Sequence, residues 1–309
     1  MKFIPLFFLI FVTIYAKEPL SPIPLENVVD KQKALLGYRL FTDSILSSDN
    51  TVSCMSCHNI FGSGGADQNV VSIGVENKKG HIQAPTVLNA KYNFRQFWNG
   101  RAEDLAQQAI GPIHDPTELN MSRKDVENRL NASEEYKNLF FKVYKTDTIK
   151  FDQVIDAIVE FENALTTPNS KFDKYLRGED SLTQNELEGY NIFKQIGCIT
   201  CHNGINIGSN SMQKIGLFEE YKNAKNYPDL YSVTHDPAYL NVFKVPTLRN
   251  ISKTSPYLHD GSAKTLKDAV VTMARYQLGT TLSDEEIDKI VKFLNTLNGQ
   301  MPQILNEQL

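Results

Sequence analysis

Two copies of the pattern Cys-x-x-Cys-His constrain this chain more than any other feature: Cys54-Met55-Ser56-Cys57-His58 and Cys198-Ile199-Thr200-Cys201-His202. Two thiols three positions apart can form thioether bonds to the vinyl groups of a haem, and the adjoining imidazole then supplies an axial nitrogen to the iron. A CxxC pair can also bind zinc or work as a redox dithiol. Repetition favours haem, because the two motifs consume all four cysteines of the chain and each carries the histidine. None is then left for a structural disulfide.

The duplication extends outwards from the motifs. Gly37-Tyr38-Arg39-Leu40-Phe41 precedes the first and Gly189-Tyr190-Asn191-Ile192-Phe193 the second. Pro85-Thr86-Val87-Leu88-Asn89 is matched by Pro246-Thr247-Leu248-Arg249-Asn250. Phe97-Trp98-Asn99-Gly100-Arg101-Ala102 with Leu105 is matched by Leu258-His259-Asp260-Gly261-Ser262-Ala263 with Leu266. Landmarks repeated in one order predict two cytochrome c-like haem domains in a mainly α chain. Residues 17–167 form the first and 168–309 the second, with the last residues packing back on the first. A helical face of Val154, Ile155, Ile158, Phe161 and Leu165 ends at Thr166-Thr167-Pro168-Asn169-Ser170, which marks the boundary. A last helix is expected from a Ser283–Glu286 capping box, burying Ile287, Ile290, Val291, Leu294 and Leu297.

Residues 1–16 read as a secretory signal: Lys2, an apolar run from Phe3 to Tyr15, and Ala16 before Lys17. Ile14 is large for a cleavage site, so an uncleaved anchor is the alternative. Export to the periplasm suits covalent haem attachment, which needs an oxidising compartment. The net charge of -4, one unit more negative without Lys2, makes nucleic acid an unsuitable partner.

The two haems are not expected to be equivalent. Met273 lies seven residues beyond Leu266, and the matching position of the first half is Pro112. A methionine opposite histidine would raise the potential and close the iron, although methionine is as readily a core gap-filler. Neighbours available to the first haem are His81, His114, Met121, Gln108 and Glu118. Glu118 could enter that pocket as a proton-transfer carboxylate or remain a solvated surface charge.

In its order of CxxCH, Ala84-Pro85-Thr86, Phe97-Trp98-Asn99-Gly100-Arg101, the second CxxCH, Pro256-Tyr257-Leu258-His259-Asp260-Gly261 and Met273, the chain closely resembles the bacterial di-haem cytochrome c peroxidases. The likeness runs from about Leu25 to Asn298. It implies two covalent haem c groups. The C-terminal haem, on Cys198 and Cys201 with His202 and Met273 as ligands, would accept electrons. The N-terminal haem, on Cys54 and Cys57 with proximal His58, would meet hydrogen peroxide. Gln108 and Glu118 match the distal glutamine and catalytic glutamate, and Trp98 the tryptophan that couples the haems. Calcium between the domains would involve Gln83, Thr254 and Pro256. The resemblance also implies a homodimer and a small donor, either a monohaem cytochrome c or a cupredoxin.

The chain departs from that pattern twice. Many members carry a histidine after Ser-Ile-Gly that blocks the N-terminal iron, whereas Ser72-Ile73-Gly74 is followed here by Val75. Either His81 replaces it from farther along the loop, or the iron is open, the reading we favour. Gln83 stands where the calcium site has asparagine, which keeps an amide oxygen but shifts its reach. Two competing functions are an electron carrier with both irons closed, and a relative that oxidises a protein substrate, as the enzyme maturing methylamine dehydrogenase does. The latter uses a tyrosine ligand at the second haem, for which Tyr257 and Tyr276 are the nearest candidates.

Overall fold

The computed structural model describes residues 18–222 and 227–307. The predicted signal segment therefore lies outside the described residues, apart from which no described helix is long and apolar enough to cross a membrane. In chain order the helices are α1 (Lys31–Thr42), α2 (Cys54–Cys57), α3 (Leu105–His114), α4 (Arg123–Asn131), α5 (Glu134–Tyr144), α6 (Phe151–Ala164), α7 (Lys171–Leu176), α8 (Gln184–Gln195), α9 (Tyr231–Thr234), α10 (Leu266–Thr272) and α11 (Asp284–Asn295). The strands β1 (Met212–Lys214) and β2 (Val242–Lys244) pair antiparallel, with Met212 opposite Lys244.

The mainly α duplicated architecture is as expected. In the first half α1 crosses α6 at Gly37, where a Cβ would collide with the Ala157 carbonyl. In the second half α8 crosses α11 at Gly189, where a Cβ would collide with the Lys289 carbonyl. Only glycine lets the helices approach so closely. Phe41, Phe161 and Tyr38 pack around the first crossing, and Phe193, Phe293 and Tyr190 around the second.

Backbone detail repeats as well. Phe97 and Leu258 both take positive φ, at 65° and 71°, each followed by a positive-φ glycine, Gly100 and Gly261. The bridges Gln96–Ala102 and Tyr257–Ala263 close the two matching loops. Asn89 and its counterpart Asn250 both donate from Nδ2 to the Thr167 hydroxyl, at 2.7 and 2.9 Å. The segment between the halves is thus pinned by the same residue of each.

Two details differ from the sequence reading. Val291 is only half-buried, and Phe293 takes the central place on α11. The stripe Ile290, Phe293, Leu294, Leu297 follows helical spacing, and Val291 sits at its edge. The N-terminal segment also crosses between halves. Leu20 enters the second core and Ile304 the first. Residues 20–23 therefore belong spatially to the second domain, because Leu20 fills an apolar gap there and the Ile23 amide donates to Asp173.

Asp173 and Arg249 form a fully buried ion pair with 2.8 Å between Nη1 and Oδ1. Arg249 also donates to the Ile205 and Ser21 carbonyls. One guanidinium thereby ties α7, the loop after the second CxxCH and the N-terminal segment together.

Candidate active site

Each CxxCH motif lines its own cavity. Ser53 caps α2, and the Ser56 hydroxyl accepts from the Ser53 amide at 3.0 Å, which fixes the single turn carrying Cys54 and Cys57. His58 follows, its Nδ1 3.1 Å from the Gly65 carbonyl. In the second half Nδ1 of His202 lies 3.4 Å from the Ile207 carbonyl. An imidazole donating from Nδ1 leaves Nε2 free as a ligand nitrogen. Burial lowers the pKa of both rings, that of His202 to about 4, so both are neutral.

Burial pushes the Cys54 and Cys198 thiols up to about 12 and Cys57 to about 11. No grouping of three or more His, Cys, Asp or Glu side chains among the described residues could hold a metal ion. This donor set does not fit tetrahedral zinc. Paired protonated thiols beside a neutral imidazole, at the wall of a largely apolar cavity, do fit a covalently attached haem.

The first cavity is lined by Cys54, Cys57, His58, Phe41, Ser72, Gly74, Gln108, Pro112, Glu118, Ile158 and Glu162. Gln108 and Pro112 come from α3, whose N-cap Asp104 accepts from the Gln107 amide at 2.8 Å. Glu118 lies in the turn after that helix. Burial first, then Asp115, raises its pKa to about 7, while Arg101 acts in the opposite direction. The Arg101 guanidinium is stacked 3.3 Å above the Phe97 ring centroid.

The loop carrying Ser72 and Gly74 is locked against the same turn. The Val75 amide donates to the Glu118 carbonyl at 2.9 Å, and a Cβ on Gly74 would strike the Thr117 and Glu118 backbone. Val75 is fully buried. His81 is exposed and lines neither cavity. His114 is exposed too, its Nδ1 2.6 Å from the Met121 carbonyl, and Met121 is in the first core.

The larger second cavity is lined by Cys198, Cys201, His202, Met273, Leu294, Tyr257, His259, Lys244, Trp98, Gln83, Thr254 and Pro256. Met273 opens a π-helical turn, Met273–Gln277, directly after α10. Pro112 and Met273 thus occupy matching positions in matching cavities. Trp98, from the first half, reaches the second cavity. Its Nε1 donates to the Gln83 carbonyl at 2.8 Å, and its ring meets His259 edge-on at 6.2 Å. Gln83 Nε2 donates to the Asp67 carbonyl at 3.2 Å. Tyr276 lies outside this lining and packs on Tyr221.

The sequence reading did not single out Glu162, Lys244 or His259 as site residues. Lys244 is buried in β2 and desolvation lowers its pKa to about 8. His259 is the counterpart of Trp98 in the duplicated loop, stacked on Phe243 at 4.1 Å with its Nε2 unpartnered. That correspondence was the one signal available for it. Lys244 carried none.

Residues 31–181 match the profile of the family described as di-haem cytochrome c peroxidase, and residues 187–298 that of cytochrome c. The chain is 46% identical over 288 residues to the cytochrome c551 peroxidase of Nitrosomonas europaea, covering 93% of this chain and 86% of that protein. The chain belongs to the di-haem cytochrome c peroxidase family. It is 41% identical to the cytochrome c peroxidase Ccp of Escherichia coli, over 92% of this chain but 62% of that longer protein. Among solved structures, a MauG-like protein associated with microbial copper homeostasis superimposes with a TM-score of 0.79 at 26% identity, covering 91% of this chain and 93% of that one. As a member of this family the chain is an oxidoreductase, a cytochrome c peroxidase acting on hydrogen peroxide with two haem c groups.

Proposed function

We propose that hydrogen peroxide is reduced in the N-terminal cavity while electrons enter through the C-terminal one. The observation that carries this division is Pro112 in the first cavity where the second has Met273. Cys54 and Cys57 would attach one haem with His58 as its ligand, and Cys198 and Cys201 the other with His202 and Met273. When bound, each haem would supply an iron that exchanges electrons singly, and the one in the first cavity would also take up the small peroxide ligand.

The overall reaction consumes one peroxide, two electrons and two protons and yields two waters. Glu118 takes the proton from one peroxide oxygen and returns it to the other, the leaving one, which is general acid–base work for a carboxylate. Gln108 orients the peroxide and donates to the oxygen on which charge develops. Trp98, which reaches the second cavity from the first half and is held by its bond to Gln83, would carry electrons between the two haems. The electron donor is a small monohaem cytochrome c or cupredoxin in the periplasm, and the enzyme is a homodimer.

Peroxide-dependent oxidation of reduced monohaem cytochrome c tests this reading. Turnover is expected, and its absence from both oxidised and pre-reduced enzyme would contradict it. His81→Ala should leave the resting spectrum of the N-terminal haem unchanged, since His81 is exposed away from that cavity. A changed spectrum would make His81 its ligand.

A calcium site at Gln83, Thr254 and Pro256 follows from the family resemblance; all three are among the residues that line the second cavity. Calorimetry with a chelator-treated holoprotein should then show calcium binding that is weakened in Gln83→Ala. Equal binding would remove Gln83 from the site.

A further inference from the structure

The first cavity holds a second carboxyl that the proposed reaction does not use. Glu162, on α6, is 4% exposed, lines the cavity with Cys54, and has no hydrogen-bond partner at Oε2. The duplication shows what its counterpart is. Since Gly37 meets Ala157 and Gly189 meets Lys289 at the two helix crossings, Glu162 corresponds to Leu294. The neighbours agree: Ile158 and Ile290 line their respective cavities, and Phe161 and Phe293 are fully buried beside them. Leu294 also lines its cavity. One position in one fold is therefore apolar in the second domain and acidic in the first.

An unpartnered carboxyl buried in an apolar wall costs stability, and the fold evidently accepts leucine there. A position that breaks the packing rule in one copy alone is a place to look for function. The groups that face Glu162 do not neutralise it. Tyr38 of α1 packs on the adjacent Phe161, α2 contributes Cys54 and Cys57 with His58 after it, and Gln108 of α3 and Glu118 share the cavity. Lys91 interacts with the neighbouring Glu160. Burial alone raises the Glu162 pKa, to about 8.

We propose that Glu162 is a positioning residue that sets the electron affinity of the first haem: its carboxylate lowers that affinity and ties the arrival of an electron to the uptake of a proton. Above about pH 8, where Glu162 carries its charge, the electron that reaches the first cavity from the donor the peroxidase reaction already requires is matched by one proton that Glu162 binds from solvent. The charge inside the cavity is then unchanged. Leu294 binds no proton, so at this position the two halves differ in a second respect besides Pro112 and Met273. The inference rests on the reading that the first cavity holds a haem.

Spectroelectrochemical titration of both haems in the full-length holoprotein tests it, comparing wild type with Glu162→Gln and Glu162→Leu at about pH 6 and about pH 10. The leucine variant copies the residue that the second domain tolerates, so it provides a folded comparison if the glutamine variant does not fold. Between the two pH values, the wild-type first haem should become harder to reduce than either variant by a tenfold change in equilibrium constant, about 59 mV for one electron. The second haem should have the same midpoint in all three. Equal pH dependence of the first haem in wild type and variants, with two haems attached per chain, would overturn the inference. A wild type carrying one haem per chain would overturn the reading beneath it.

Discussion

Glu118→Gln should lower kcat by roughly 10²–10⁴-fold, the usual contribution of a positioned general acid–base group, while both haems stay attached. Glutamine keeps the volume and a hydrogen-bonding terminus, so the turn that holds the Val75 amide is preserved. What is lost is the ability to accept and return a proton. The wild-type pH profile follows from the same group. Burial and Asp115 raise the pKa of Glu118 to about 7, so the proton-accepting carboxylate is depleted below that pH. The profile of kcat/KM should therefore fall on the acid side of about 7, and this limb should be missing from the residual activity of the variant. Stopped-flow turnover with reduced cytochrome c as donor measures both. Wild-type rates in Glu118→Gln would remove the residue from the mechanism.

Arg249→Leu should destabilise the protein by about 3–5 kcal/mol, because it leaves the Asp173 carboxylate buried without its cation. Asp173 would keep the amide donors of Ile23 and Ser170, but the charge itself would be uncompensated. The Ile205 and Ser21 carbonyls would also lose their donor. Denaturant unfolding of the holoprotein checks this, and the double variant Arg249→Leu with Asp173→Leu should recover part of the loss. A loss below about 1 kcal/mol would show that the pair contributes no more than an exposed one.

The haem motifs, the duplication and the helical faces on α6 and α11 were legible because each is a local pattern with a fixed period. Met273 was legible through its spacing from a repeated landmark, and Gln108 and Glu118 only through the resemblance to the di-haem peroxidases; the structure brings each into a cavity with a CxxCH motif. The β1–β2 ribbon was not anticipated, since strands of three residues are too short to display alternation. The crossing of the N-terminal segment, which carries Leu20 into the second core, depends on contacts between residues distant in sequence, and nothing local announces it. Glu162 was hidden for a different reason. It sits in a helical stretch whose apolar face reads as ordinary core, and its meaning emerges only when the helix crossing pairs it with Leu294.

The central claim is that two domains built alike hold unlike irons, one closed by Met273 and one open where Val75 replaces a blocking histidine. Electron paramagnetic resonance of the fully oxidised wild type, alongside Met273→Leu, tests this most directly. The account predicts one high-spin ferric signal from the N-terminal haem and one low-spin signal from the C-terminal haem, with only the low-spin signal altered in the variant. Two low-spin signals in the wild type, or a low-spin signal indifferent to Met273→Leu, would contradict it.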